Sequence, residues 1–263
     1  MKKYFWIFLL LPSLCWPATG DLQTIGGKVD TAITSIAGKA GTAIATICGK
    51  NYTDGDGGAA YTVAYRSTSE SATPATSIDK PSSCADTDLM LLTCISDTDE
   101  VQTWPDGWTE IATVASASSR LEMAYKVASS EGASYQVTSA TTDDICSISC
   151  FTKSGGTWQI KDFSATAAVN NVAITSDAVT APSGDSILYI GWGCDGAYLN
   201  RTDGEYPPAG MTKVMDLIDG GVPAGRGTEA WYQDIASAGD LTKTFTTENL
   251  EDKSTIAVVI NAE

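Results

Sequence analysis

Asp88-Leu-Met-Leu-Leu92, Pro105-Asp-Gly-Trp-Thr109, Leu121-Glu-Met-Ala-Tyr-Lys-Val-Ala128 and Asp144-Ile-Cys-Ser-Ile-Ser-Cys-Phe151 recur, in the same order, later in the chain. The counterparts are Asp185-Ser-Ile-Leu-Tyr189, Pro208-Ala-Gly-Met-Thr212, Thr228-Glu-Ala-Trp-Tyr232 with Ile235-Ala236, and Asp252 to Ile260. From one motif to the next the offset drifts from 97 through 103 to 108, as small loop insertions make it do. Each motif is a short apolar or alternating run bounded by Gly, Pro, Ser or Asp, and none shows a helical period. Strands are expected at 60–66, 76–79, 89–95, 109–115, 121–127, 135–138, 145–151, 187–191, 228–232, 242–245 and 255–260. The pattern predicts an all-β chain: a duplicated antiparallel β-sandwich, jelly-roll-like, over residues 59–263.

Upstream, the chain repeats at a shorter interval. Thr24-Ile25-Gly26-Gly27-Lys28, Ser35-Ile36-Ala37-Gly38-Lys39 and Thr46-Ile47-Cys48-Gly49-Lys50 are spaced by 11 residues. A Gly in every unit costs a helix roughly 1 kcal/mol each time, so strand-and-turn pieces are expected over 21–58. Gly-Lys is followed by Val29, Ala40 and Asn51, where a phosphate loop needs Ser or Thr. Two isoleucines per unit cannot bury themselves alone, so the segment reads as a tether that docks onto another surface.

Residues 1–20 read as a secretory signal peptide. Lys2 and Lys3 precede an apolar run from Tyr4 to Leu11, and Ala18-Thr19-Gly20 supplies the small residues of a cleavage site. The run is far shorter than the roughly 20 residues that span a bilayer, and no transmembrane helix is expected after cleavage. Export to the periplasm, the cell surface or the medium is the expected localisation.

Charge and composition narrow the function. The 263 residues carry 16 Lys and Arg against 32 Asp and Glu, with no His. Nucleic acid is an unsuitable partner for such an acidic chain, and imidazole-dependent triads are excluded. Paired carboxylates would suffice for glycoside hydrolysis without His, yet among 32 acids no pair is singled out. The chain is therefore expected not to be an enzyme. The one inorganic candidate is Ca²⁺ at Asp54 and Asp56, on the glycine-rich turn Asp54-Gly-Asp-Gly-Gly58. No other cofactor is expected.

Six cysteines follow the leader: Cys48, Cys84, Cys94, Cys146, Cys150 and Cys194. Export makes disulfides admissible, and buried free thiols are the alternative. Cys146 and Cys150 stand four residues apart on an expected strand, roughly 13 Å, too far to bridge each other. Both face the same way and could reach Cys94 or Cys194. Trp104, Trp158, Tyr198 and Tyr206 lie near Gly, Pro, Asp or Asn in expected loops, where a ring can stack on a sugar while Asn200 and Asp203 hydrogen-bond hydroxyls. Trp108 and Tyr125 align with Met211 and Tyr232 in the duplication and are assigned to packing.

The run Tyr65-Arg-Ser-Thr-Ser69, Ile78-Asp-Lys-Pro-Ser82, Asp86-Thr-Asp-Leu-Met-Leu-Leu92, Pro105-Asp-Gly-Trp108, Ala124-Tyr-Lys-Val-Ala128 and Pro208-Ala-Gly-Met211 resembles a β-sandwich domain of bacteriophage virion or tail-associated proteins and bacterial surface proteins. The 11-residue units resemble segments that precede such domains. The resemblance implies attachment, receptor binding or particle structure, and transfers no catalytic residue. Together these readings lead to an exported, adhesin-like or receptor-binding module whose partner is a cell-surface glycan or protein. The alternative is a structural subunit of a virion or surface appendage, homo-oligomeric through its repeats or edge strands. An acid-dependent glycan hydrolase ranks last.

Overall fold

The computed structural model describes residues 24–25, 28–29, 35–36, 39–40, 46–47, 50–51, 61–71, 77–97, 102–137, 145–182, 185–195, 208–218 and 226–263. The chain divides into two units, 1–59 and 60–263.

In the first unit each 11-residue repeat yields one minimal hairpin: β1 (Thr24–Ile25) with β2 (Lys28–Val29), β3 (Ser35–Ile36) with β4 (Lys39–Ala40), and β5 (Thr46–Ile47) with β6 (Lys50–Asn51). All three share one register, with Ile25, Ile36 and Ile47 opposite Lys28, Lys39 and Lys50.

The second unit holds β7 (Val63–Glu70), β8 (Ser77–Asp79), β9 (Leu89–Asp97), β10 (Thr109–Ala115), β11 (Ser119–Val127), β12 (Ser134–Gln136) and β13 (Ile145–Lys153) in its first half. Its second half holds β14 (Trp158–Thr175), β15 (Val179–Ala181), β16 (Ser186–Asp195), β17 (Thr212–Ile218), β18 (Arg226–Ile235), β19 (Gly239–Leu241) and β20 (Thr244–Ala262). The first half builds one antiparallel sheet in the order β10-β11-β9-β13-β7, and the second builds another whose order, read from its other edge, is β17-β18-β16-β20-β14. Adding seven to each strand number converts one order into the other. Two-stranded ribbons, β8 with β12 and β15 with β19, complete the halves. The chain thus finishes one sheet before starting the next, without the strand exchange between sheets that a jelly roll uses.

Three cores result. The inward faces of both sheets meet in a central core that includes Leu89, Leu91, Ile95, Leu121, Met123, Phe151, Ile187, Tyr189, Val258 and Ile260. The ribbon residues Ile78 and Tyr135 close a second core against Met90, Leu92 and Cys94 on the outer face of the first sheet. Val179 and Ala181 do the same over Leu188, Ile190 and Trp192 on the second. A strand buried on both faces reads as a continuous apolar run, which is why Leu89 to Leu92 stands out in the sequence. Full burial of each such Leu or Ile contributes on the order of 2 kcal/mol.

Register corrects the sequence alignment of the halves. One ladder runs Thr109, Tyr125, Leu91, Ser149, and its counterpart runs Thr212, Tyr232, Tyr189, Val258. Leu91 therefore answers to Tyr189 and Ser149 to Val258, one residue beyond the alignment of Asp88 with Asp185 and of Asp144 with Asp252. A one-residue slip exchanges the faces of a strand, and it would put Leu91 of the central core onto Leu188 of an outer core. Trp108 with Met211 and Tyr125 with Tyr232 stand as aligned. Gly107 and Gly210 take φ of +83° and +78° at the same turn, whose hydrogen bonds are Trp108 N to Pro105 O and Met211 N to Pro208 O.

Four strands were not foreseen: β14, β15, β17 and β19. Both β14 and β17 are edge strands, with one side of the backbone unpaired and little of the apolar alternation that marks an interior strand. The antiparallel pair of β14 and β20 is about twice as long as that of β7 and β13. It bends at register shifts between Ala168 and Ala173, where Asn170 has a φ of +54°. Beyond the bend, Ile174 and Phe245 join the outer core, and Phe245 stacks on Trp192 at 6.0 Å.

Candidate functional site

The duplication acts as an internal control. Features present in both halves serve the shared fold, and features present in one are additions to it. Glu122 and Glu229 belong to the first kind. They are equivalent by register, Glu122 lying opposite Cys94 and Glu229 opposite Trp192, and their exposures are 0% and 3%. Glu122 accepts hydrogen bonds from Gln102 N at 2.9 Å and Thr113 Oγ1 at 3.3 Å. Glu229 accepts from Trp231 Nε1 at 3.3 Å and lies 3.7 Å from Lys213 Nζ, which is committed to Asp216. Burial raises both carboxyls above their ordinary value, Glu229 to about 8.

The turn at Trp104–Trp108 belongs to the second kind. Trp104 is half-buried and packs against the outer core of the first sheet. Trp108 meets Tyr135 edge-on at 5.3 Å. Lys126 Nζ donates to Asp106 O at 3.1 Å, pairs with Glu131 at 3.0 Å and lies 5.6 Å above the Tyr135 ring. Burial opposes ionisation of Glu131, yet hydrogen bonds from Lys126, Ser129 and Tyr135 hold its carboxyl below the usual range. Burial and the Glu131 charge push the Tyr135 phenol up. In the second half Met211 and Gln233 stand where Trp108 and Lys126 do, and the turn carbonyl of Ala209, the counterpart of Asp106, accepts instead from Lys243 Nζ at 2.7 Å; among the described residues the ammonium contact is kept, and the indole at position 108 is what differs. The partly exposed Trp104 is the indole of this turn with ring area left open to solvent, and such a ring can stack on a sugar face.

Trp158 is not a loop residue. It opens β14, its ring packs into the central core, and its Nε1 donates to Thr87 O at 2.7 Å. Its ring and donor are thus committed within the fold. Tyr198, Asn200, Asp203 and Tyr206 lie outside the described residues, as do Asp54, Asp56 and Cys48.

The cysteines form a first-half device. Cys94 bridges Cys146, its direct cross-strand neighbour, and Cys84 bridges Cys150. The second half places Trp192 opposite Thr255 where the first places Cys94 opposite Cys146. Cys194 is buried and stands outside both bridges. Cys84, Asp88 and Cys150 bring three ligand-type atoms within 4.8 Å of one another, but the joined sulfurs are not the thiolates a metal requires. Asp88 instead pairs with Arg66 Nε at 3.1 Å and accepts from Ala85 N at 2.8 Å. Sequence reasoning missed Cys84 as a partner because it lies outside any strand.

Comparison with family models, curated proteins and solved structures returns no match. Among the described residues, no helix is long and apolar enough to cross a membrane.

Proposed function

We propose that the protein is an exported, non-catalytic attachment module whose sandwich contacts a cell-surface glycan or protein and whose N-terminal repeats tether it. The observation that carries this reading is the departure of one half from the other at Trp108, whose ring packs edge-on against Tyr135 where the second copy of the turn has Met211, with the partly exposed Trp104 at the same turn. The resemblance to β-sandwich domains of virion and bacterial surface proteins supports the same role. Glu122 and Glu229 are sealed at one place in both halves, which suits a structural part better than a catalytic one.

The test is glycan-array binding by the chain from Asp21, beside Trp104→Ala. Retention on a defined set of glycans that falls at least tenfold in the variant supports the reading. Equal retention by both chains removes the turn from the contact, and no retention of either on glycans or on intact cells overturns attachment. The second reading, a self-associating structural subunit, is favoured by the three identical hairpins.

A further inference from the structure

We infer that Cys84, Asp88 and Cys150 form a redox-gated metal site, which takes a zinc-type divalent cation once a dithiol reductant has opened the Cys84–Cys150 bridge. The site is separate from the turn at Trp104–Trp108 and does not rest on the attachment reading.

Three observations carry it. The first is placement. Cys84, Asp88 and Cys150 are 5%, 3% and 0% exposed, and one ligand-type atom from each lies within 4.8 Å of the others. Asp88 Oδ2 stands 3.6 Å from Cys150 Sγ. A tetrahedral Zn²⁺ with sulfur at about 2.3 Å and oxygen at about 2.1 Å keeps two such ligands roughly 3.6 Å apart. The carboxylate is thus already at ligand spacing from one sulfur. The Cα atoms of Cys84 and Cys150 are 5.8 Å apart, so the freed sulfurs need only turn about their Cα–Cβ bonds to reach the roughly 3.8 Å between two zinc-bound sulfurs.

The second is charge. In the bridged state the Asp88 carboxylate faces the Arg66 guanidinium at 3.1 Å, and the pair sums to zero. Two thiolates add two negative charges, and a divalent cation cancels them. The buried cluster is therefore neutral in both states, which a poorly hydrated site favours. The partly exposed Lys80 donates to the Cys84 carbonyl at 3.1 Å, and its charge is shared with solvent. Arg66 is itself held by Ser83 O and Thr152 Oγ1, each at 3.1 Å, and Ala85 N donates to Asp88 Oδ2 at 2.8 Å. Outer partners thus orient the carboxylate, as they do for metal-bound carboxylates.

The third is asymmetry. By register Asp88 and Cys150 answer to Ser186 and Val259, so the second half carries neither ligand. Among the described residues, the other bridge, Cys94 with Cys146, brings no third ligand-type atom as close. Neither the shared fold nor a disulfide as such calls for the acid beside Cys150.

The exchange balances. The dithiol gives two electrons and two protons to the bridge and leaves as its own cyclic disulfide, and the two freed thiols release two protons as the cation binds. In reverse, a small disulfide takes two electrons from the bound thiolates, the Cys84–Cys150 bond re-forms, and the cation leaves with the two thiolates of the oxidant. Bridge or cation, the segment around Cys84 stays pinned to β13.

The experiment titrates Zn²⁺ and Cd²⁺ into the chain from Asp21, first oxidised, then reduced with dithiothreitol that is removed under anaerobic conditions. Three variants accompany it: Cys84→Ser with Cys150→Ser, Cys94→Ala with Cys146→Ala, and Asp88→Asn. The expected result is one tight equivalent in the reduced chain, with a cadmium–thiolate ultraviolet band, and none in the oxidised chain. Cys94→Ala with Cys146→Ala should retain it, Cys84→Ser with Cys150→Ser should lose it, and Asp88→Asn should weaken it at least tenfold. Glutathione disulfide should release the cation. The absence of a tight equivalent in the reduced chain overturns the inference, as does equal binding by the oxidised chain or by Asp88→Asn. A reduced chain that unfolds and takes the cation equally through either cysteine pair overturns it too. None of these readouts depends on glycan capture, so either proposal can fail alone.

Discussion

Ile95 and Gly193 occupy equivalent positions in the two halves and meet each other across the central core. A Cβ on Gly193 would fall 2.5 Å from Ile95 Cδ1. Two residues along the same strands, Thr93 and Gly191 repeat the relationship, with the added Cβ 2.8 Å from Thr93 Cγ2. Two identical surfaces cannot interlock with bulk on both sides, so the duplicated sheets have diverged into a large and a small partner. The close approach requires glycine on the second-half strand.

Gly193→Ala is therefore expected to destabilise the protein by about 1–3 kcal/mol, the usual cost of overpacking. Ile95→Ala should lose stability separately, through the cavity it leaves. Combined, the two changes should cost less than their sum, because the new methyl occupies part of the space vacated. Urea denaturation of the four chains checks this, and strict additivity would refute the contact.

Glu229 makes stability depend on pH. Burial holds its carboxyl at about 8 in the folded chain, against an ordinary value of 4.5. The folded state binds the extra proton, so this contribution is fully present below about pH 4.5 and is lost as pH rises through about 8. Glu122 and Glu70, also raised by burial, add the same sign. The melting temperature should fall between pH 5 and pH 9, and Glu229→Gln should flatten that fall while leaving the value at pH 5 nearly unchanged. An identical slope in the variant would show that Glu229 is ionised in the fold at neutral pH.

What could be read from the sequence follows from which faces are buried. Strand β9 is covered on both sides, so Leu89 to Leu92 announces itself, and the turns at Gly107 and Gly210 repeat because each needs a positive φ. Strand β14 is an edge with polar and small residues in Ser164-Ala-Thr-Ala-Ala168, and no periodicity marks it. The register error arose because Asp88 and Asp185 look alike, whereas the alternation of inward and outward faces decides the true alignment. At the candidate site, Trp104 was legible as an aromatic outside the shared motifs. Trp158 was misplaced because its nearby Gly155-Gly156 suggested a loop, while the ring belongs to the strand that follows.

The two bridges should appear directly in a non-reducing peptide map as Cys84 with Cys150 and Cys94 with Cys146. They close segments with sequence separations of 66 and 52 residues, so chain entropy assigns each about 4 kcal/mol. Cys94→Ala with Cys146→Ala should lower the melting temperature markedly, with early hydrogen exchange in β8 and β12, which close the same outer core. A map showing Cys146 joined to Cys194 would displace this arrangement.

Lys253 clamps the bend of the long β14–β20 pair. It is fully buried on β20, opposite Cys194, and its Nζ donates to Asn171 O and, at 3.4 Å, to Glu251 O. Burial lowers its pKa, and the nearby Glu251, Cys194 and Asp252 oppose that shift. Those carbonyls lie where the β14 register shifts twice, and beyond that point Ile174 and Phe245 fold onto the outer core beside Trp192. Lys253→Met keeps the length and most of the volume of the side chain but leaves the carbonyls without their donor, at a cost of about 1–3 kcal/mol. The loss should be local. Amides of 168–175 and 244–251 are expected to exchange faster, while those of β9 and β13 keep wild-type protection. Unchanged exchange at the bend would mean that the Phe245 stack, rather than Lys253, holds this end of the strand pair down.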